Sequence, residues 1–192
     1  MYPIVQAPDK ILRSATQAVN LPADKLQKII EEMRRTLTIQ KDPEGVGLAA
    51  NQVGLPYRLF LARFTTKKNS PIFTFINPEI LEHSEDLQPD DKKAPLEGCL
   101  SLPKYYGVVK RYQWVDLKYF EHTSHQNLEP RTSRFEGFPA TVIQHEMDHL
   151  NGKIFVERIL EQQGRLYKVT KKGKSAHGGS ASGGEDWEEI EL

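Results

Sequence analysis

Residues 145–149 read His-Glu-Met-Asp-His, inside a segment whose apolar period turns helical around Pro139. Ala140, Val142, Ile143, Met147 and Leu150 predict a helix that ends at Asn151-Gly152, where glycine is the expected residue just past a C-terminus. Histidines at i and i+4 share one helical face with Cβ atoms about 6 Å apart, within reach of a single metal ion. Glu146 then stands where it can take a proton from water activated by that ion. The apolar flanks Val142, Ile143 and Leu150 bury such a helix, so the rest of the chain must fold around it. The plainer reading, a surface helix with two solvated histidines, fits those flanks poorly.

Two histidines do not complete a catalytic site, which ordinarily takes three protein ligands and keeps one position open. In a metzincin protease the third would be a histidine six residues after His149, and the chain has Phe155 there. A thermolysin-like site needs a glutamate from a later helix. Glu157 and Glu161 follow very closely, and Glu185 to Glu191 lie in a strand or loose tail. The sole cysteine, Cys99, lies in Glu97-Gly98-Cys99-Leu100-Ser101, after a glycine that permits close backbone approach. Taken alone, a single cysteine is most simply a small buried hydrophobe. A closed structural site would need a further Cys or His nearby, and none recurs. His83, His122, His125 and His177 sit in polar, loop-like sequence and are expected to be exposed.

Composition narrows the partners. Lys and Arg number 26 against 26 Asp and Glu, so nothing marks a nucleic-acid or membrane surface, and a small-molecule or peptide substrate is expected. At 192 residues the chain can bury one core without metal staples, so a metal would serve chemistry. One cysteine closes no internal disulfide, Met1 to Arg13 has no apolar signal core, and no apolar run suits a membrane span. The cytoplasm is the expected compartment.

Along the chain, Leu26, Ile29, Ile30, Met33 and Leu37 mark a helix from Pro22 to about Lys41, with Pro22 in its first turn and Asp42-Pro43 ending it. Arg58 to Phe64 and Ile72 to Ile76 read as a hairpin, Glu82 to Lys93 as a polar surface loop, and Trp114 to Phe120 as a strand. Asn127 to Phe135 is a weaker strand signal, and Ile154 to Leu160 a further short element. Residues 171–184 are rich in Gly, Ser and Lys and read as a flexible loop. The acidic segment 185–192 could return as a strand beside Arg165 to Thr170.

Gly45-Val-Gly-Leu-Ala-Ala-Asn-Gln52, Glu97-Gly-Cys-Leu-Ser101 and Gln144-His-Glu-Met-Asp-His-Leu150 resemble the three signature motifs of the peptide deformylases, in the same order and with similar separations. Pro8 to Arg13 and Phe75-Ile-Asn-Pro78 also resemble that family, so the likeness covers roughly residues 4–160. It implies a single α+β catalytic domain over residues 1–170, with antiparallel strands wrapped around a central metal-binding helix. It implies removal of the N-formyl group from the initiating methionine of nascent polypeptides, with release of formate. Cys99, His145 and His149 would bind one divalent ion, usually ferrous iron, with zinc or nickel as replacements.

By the same likeness Glu146 is the general base, and Gln52 with the backbone N–H of Leu100 supplies the oxyanion donors. Val46 and Gly47 would receive the peptide as an added strand, and Val46 with Val142 would line the methionine pocket. Glu97 would stand behind the ligands with Arg111 as partner. Where some deformylases carry an arginine after the cysteine motif, this chain has Lys104-Tyr105-Tyr106. The family's ribosome docking has been linked to a C-terminal helix, and Gly173 to Gly184 with the acidic end argue against one here. A zinc peptidase and a non-catalytic metal-binding module are the rival readings.

Overall fold

The computed structural model describes residues 1–41, 43–65, 67, 70–88, 96–122, 128–170 and 186–191. In chain order its helices are α1 (Ala23–Thr38), α2 (Phe138–Leu150) and α3 (Phe155–Glu161), with short 3-10 turns at Lys10–Arg13 and Ala50–Val53. The strands are β1 (Gly47–Ala49), β2 (Leu59–Ala62), β3 (Phe73–His83), β4 (Glu97–Cys99), β5 (Leu102–Gly107), β6 (Trp114–His122), β7 (Leu128–Glu136), β8 (Leu166–Thr170) and β9 (Asp186–Ile190). They form two antiparallel sheets, ordered β1-β2-β3-β6-β7 and β4-β5-β8-β9. The architecture is α+β, as the sequence implies.

Period-2 alternation in β2 explains why the five-stranded sheet carries a helix on each face. Leu59 and Leu61 join the cluster under α1, where Leu26, Ile29, Ile30, Met33 and Leu37 are buried. Phe60 and Ala62 turn the other way and pack with Phe75, Val115, Leu117 and the α2 residues Val142, Ile143, Met147 and Leu150. The Phe60 and Phe75 rings stack at 4.6 Å. Buried on both faces, β2 reads as a continuous apolar run. A third cluster joins Cys99, Phe155, Ile159 and Leu166, and ties α3 to the four-stranded sheet.

Boundaries moved where the apolar pattern ran out. Pro22 caps α1 instead of entering it, and the helix stops at Thr38, beyond which Ile39 is 53% exposed. The expected surface loop from Glu82 starts later, because β3 keeps pairing with β6 as far as His83↔Val115. His122 is not exposed: it ends β6 half-buried, and burial together with the Arg34 charge lowers its pKa. His83 is exposed and stacks on Tyr112 at 3.7 Å. His125, His177 and the Gly/Ser/Lys-rich stretch lie outside the described residues. Helix α2 ends as its sequence requires, with Asn151 as cap and Gly152 at φ 74°, a conformation only glycine adopts without strain.

Candidate active site

Helix α2 is buried almost all round, including Gln144, Glu146, Asp148 and His149. One turn of it projects His145 and His149 toward β4, whose bulge after Gly98 swings Cys99 inward. Ligand atoms of Cys99, His145 and His149 lie within 4.8 Å of one another, and Cys99 Sγ is 3.2 Å from His149 Nε2. Bonds of about 2.0–2.3 Å to N and S place the donors of one tetrahedral ion about 3.5 Å apart, so the three residues fit a single ion. A thiolate with two imidazoles is the donor set of Zn, Fe or Ni rather than of Mg or Ca. Burial alone would raise the Cys99 thiol, but His149 and His145 outweigh it and hold the pKa down to about 5. The sulfur is therefore thiolate at neutral pH, the form that binds metal.

Behind the ligands lies a buried ion network. Glu97 accepts from His145 Nδ1 at 2.8 Å, which leaves His145 Nε2 to face the cleft. Arg111 donates from Nε and Nη2 to the two oxygens of Glu97 at 2.7 and 2.9 Å, and from Nη1 to Asp148 at 2.6 Å. Arg158 closes the chain on Asp148 at 2.5 Å. Burial would raise the Glu97 carboxyl, yet the Arg111 charge and hydrogen bonds hold it down to about 2. The sequence reading assigns no role to Asp148 or Arg158. Asp148 carried a signal, being an acid between the paired histidines, whereas Arg158 carried none.

Glu146 faces the cleft, and burial pushes its carboxyl up to about 7 against the opposing pull of His145 and His149. Its neighbour is Gly47: a Cβ there would meet the carboxyl 2.6 Å from Cδ. Gly47 thus makes room for Glu146, a task its sequence position did not reveal. Gln52 Oε1 accepts from Ala49 N–H at 2.8 Å, which fixes the amide orientation. Nε2 therefore points toward Cys99 Sγ (3.5 Å) and Ser101 Oγ (3.3 Å). Glu146, Gly47, Gln52 and Cys99 line one cleft with about 620 Å³ of empty space, together with Val46, Leu100, Val142, Leu96, Phe138 and Thr141. The last three are further lining residues that the sequence reading passed over.

A buried helix bearing two imidazoles and an acid, completed by a thiolate from the adjoining strand, defines the site of a mononuclear metallohydrolase. The family model described as polypeptide deformylase matches residues 1–165, and the chain belongs to the peptide deformylase family. A peptide deformylase from Mesorhizobium japonicum is 38% identical over 159 residues, covering 82% of this chain and 83% of that protein. The crystal structure of the Thermotoga maritima peptide deformylase superposes with a TM-score of 0.71 at 34% identity, covering 82% of this chain and 97% of that one. A Met-Ala-Ser-bound class I type b peptide deformylase from Acinetobacter baumannii gives 0.70 at 33% identity, covering 82% and 98%.

Proposed function

We propose that this chain hydrolyses the formamide bond of N-formylmethionyl peptides and nascent chains, yielding formate and a free amino terminus. The convergence of Cys99, His145 and His149, next to the cleft that Glu146 and Gln52 line, carries the reading. We assign the three ligands to one divalent ion, iron(II) by family likeness and replaceable by zinc or nickel. Such an ion supplies a Lewis acid that polarises the formyl carbonyl and acidifies water. Glu146, its carboxyl near neutrality, accepts a proton from the attacking water and returns it to the departing amine as the C–N bond breaks. The Gln52 Nε2 donor and the Leu100 N–H stabilise the negative charge growing on the formyl oxygen. Glu97, held by Arg111, keeps the His145 ring in register.

The peptide lies extended between β1 and β4, which end the two sheets on opposite walls of the cleft. Arg63 N–H donates to the Val46 carbonyl at 2.8 Å, so strand alternation turns the polar backbone of Gly47 the other way, toward the cleft. Val46 and Val142 offer apolar surface to the methionine side chain. The catalytic domain spans residues 1–170, and a free thiolate ligand suits a reducing compartment such as the cytoplasm. No helix among the described residues is long and apolar enough to cross a membrane. The deciding experiment is anaerobic formate release from formyl-Met-Ala-Ser by iron-loaded protein, with Glu146→Gln as control. Cleavage of unformylated peptides without formate production would instead favour a peptidase.

A further inference from the structure

The buried run Leu59-Phe60-Leu61-Ala62 of β2 is followed directly by Arg63, an arginine only 9% exposed. A buried charge is costly unless it is well paired. The acid within reach, Glu44, lies 3.5 Å from Nη2 and its side chain is 46% exposed. The short contacts of Arg63 are to backbone instead. Its main-chain N–H donates to the Val46 carbonyl at 2.8 Å, and Nε donates to the Gly45 carbonyl at 2.6 Å. The β1–β2 ladder itself stops at Gly47↔Ala62, so the Arg63 side chain adds a rung where the two backbones part. The segment it holds stands between two helices. A Cβ on Gly45 would fall 2.7 Å from the Leu37 carbonyl oxygen of α1, and one on Gly47 would fall 2.6 Å from Glu146 Cδ of α2. Glu44, Val46 and Gly47 line the cleft, and β1 is an outermost strand of its sheet.

We propose that Arg63 is a positioning residue for the substrate: its Nε bond to Gly45 holds residues 44–47 as a preformed edge on which the formylated peptide pairs. The inference rests on the deformylase reading and gives a task to a side chain that does not itself line the cleft. A three-residue strand at a sheet edge has little pairing of its own. Glycine at 45 and 47 leaves that backbone the widest choice of conformations. Without the bond each substrate must order the segment as it binds, and the cost falls on affinity rather than on the chemical step. Stiffer residues cannot replace the two glycines, because the helices occupy the space of their side chains. A side-chain bond from the neighbouring strand is what remains to stiffen the wall.

Methionine and glutamine match arginine in length as far as Nε, so Arg63→Met removes the donor, Arg63→Gln keeps one at that position, and both remove the charge. With metal-loaded protein and formyl-Met-Ala-Ser, Arg63→Met should raise KM, and the Kd of the product Met-Ala-Ser, by about 10- to 100-fold with kcat within about threefold of wild type. Arg63→Gln should bring both back to within about threefold of wild type. Hydrogen exchange gives a readout independent of turnover. The amide of Leu48, opposite Leu61 on β2, should exchange at least about tenfold faster in Arg63→Met while the α2 amides keep their wild-type rates. Equal KM in Arg63→Met and Arg63→Gln, or faster exchange spread evenly over β1 and α2 with KM unchanged, makes Arg63 a stabilising residue only and overturns its positioning role. Should Arg63→Met not fold, wild type decides: saturating Met-Ala-Ser should slow Leu48 exchange by less than about threefold, and greater slowing shows that the peptide, not Arg63, orders the wall. Failure of metal-loaded wild type to release formate overturns the deformylase reading and this inference with it.

Discussion

Replacing Arg111 with methionine keeps most of the side-chain volume and removes the charge at the centre of the buried network. Arg111 is 4% exposed and gives three hydrogen bonds to two carboxylates. Asp148 retains Arg158 at 2.5 Å, so the loss falls mainly on Glu97, 8% exposed and left with only His145 Nδ1 at 2.8 Å. Removing one partner of a buried pair typically costs about 3–5 kcal/mol, because the other charge stays desolvated. For a chain of this size each kcal/mol moves Tm by about 2–4 °C, so a fall on the order of 10 °C is expected.

The assay is urea denaturation of the metal-free protein, which separates folding from metal loss, followed by metal titration. There the unfixed His145 should weaken binding by about 10–100-fold. Glu97→Leu combined with Arg111→Met should be more stable than Arg111→Met alone, since an apolar pair replaces an orphaned charge. A single-variant loss below about 1 kcal/mol, or a double variant no better than the single, would refute the account.

Gly47→Ala should cut kcat by about 10² or more at full metal occupancy, since its Cβ occupies the space of the Glu146 carboxyl to which we assign proton transfer; normal turnover would show that Glu146 has room to move. Gln52→Leu should lower the single-turnover rate by about 10²–10³ and weaken substrate binding less. Poorer binding with unchanged chemistry would make Gln52 a positioning residue instead. Cys99→Ser should weaken metal retention and alter the ligand-field spectrum of cobalt-substituted protein, because a neutral hydroxyl is a far poorer ligand than thiolate; an unaltered spectrum places Cys99 outside the coordination sphere.

What could be read from the chain follows from how each element is buried. Helix α2 and strand β2 were legible because they are enclosed on nearly all sides, so their apolar residues run together and polar exceptions such as His145, Glu146 and His149 stand out. Strand β7 was faint, since most of its residues face outward and its pattern is Leu-Glu-Pro-Arg-Thr-Ser-Arg rather than an apolar alternation. Strand β5 was not recognised. It begins with Leu102-Pro103-Lys104, and Lys104 sits at φ 71°, a local geometry that breaks the strand signal. The Arg111 to Asp148 bond joins residues 37 apart, and no local period encodes such a pairing. The three motif blocks contain the residues that the fold gathers at the cleft; only the folded chain shows which backbone makes room for them.

The placement of unpartnered polar atoms gives a reason, independent of any motif, for regarding this cleft as built for a reaction. A buried polar atom without a partner costs free energy, and folded proteins keep few of them. Among the described residues, buried side-chain atoms lacking a hydrogen bond are Glu146 Oε2, His149 Nδ1, Asn51 Oδ1 and His122 Nε2. Two of the four belong to α2, and Asn51 touches that helix through a 2.6 Å bond to the His149 carbonyl. Around them Glu97, Arg111 and Asp148 are fully engaged with one another. The contrast separates two kinds of buried polarity. The network behind the ligands is satisfied within the protein and sets ring orientation, whereas the Glu146 carboxylate keeps an oxygen uncommitted. An acid meant only to stabilise the core would be tied as Asp148 is; an acid that must accept a proton and return it needs that oxygen free.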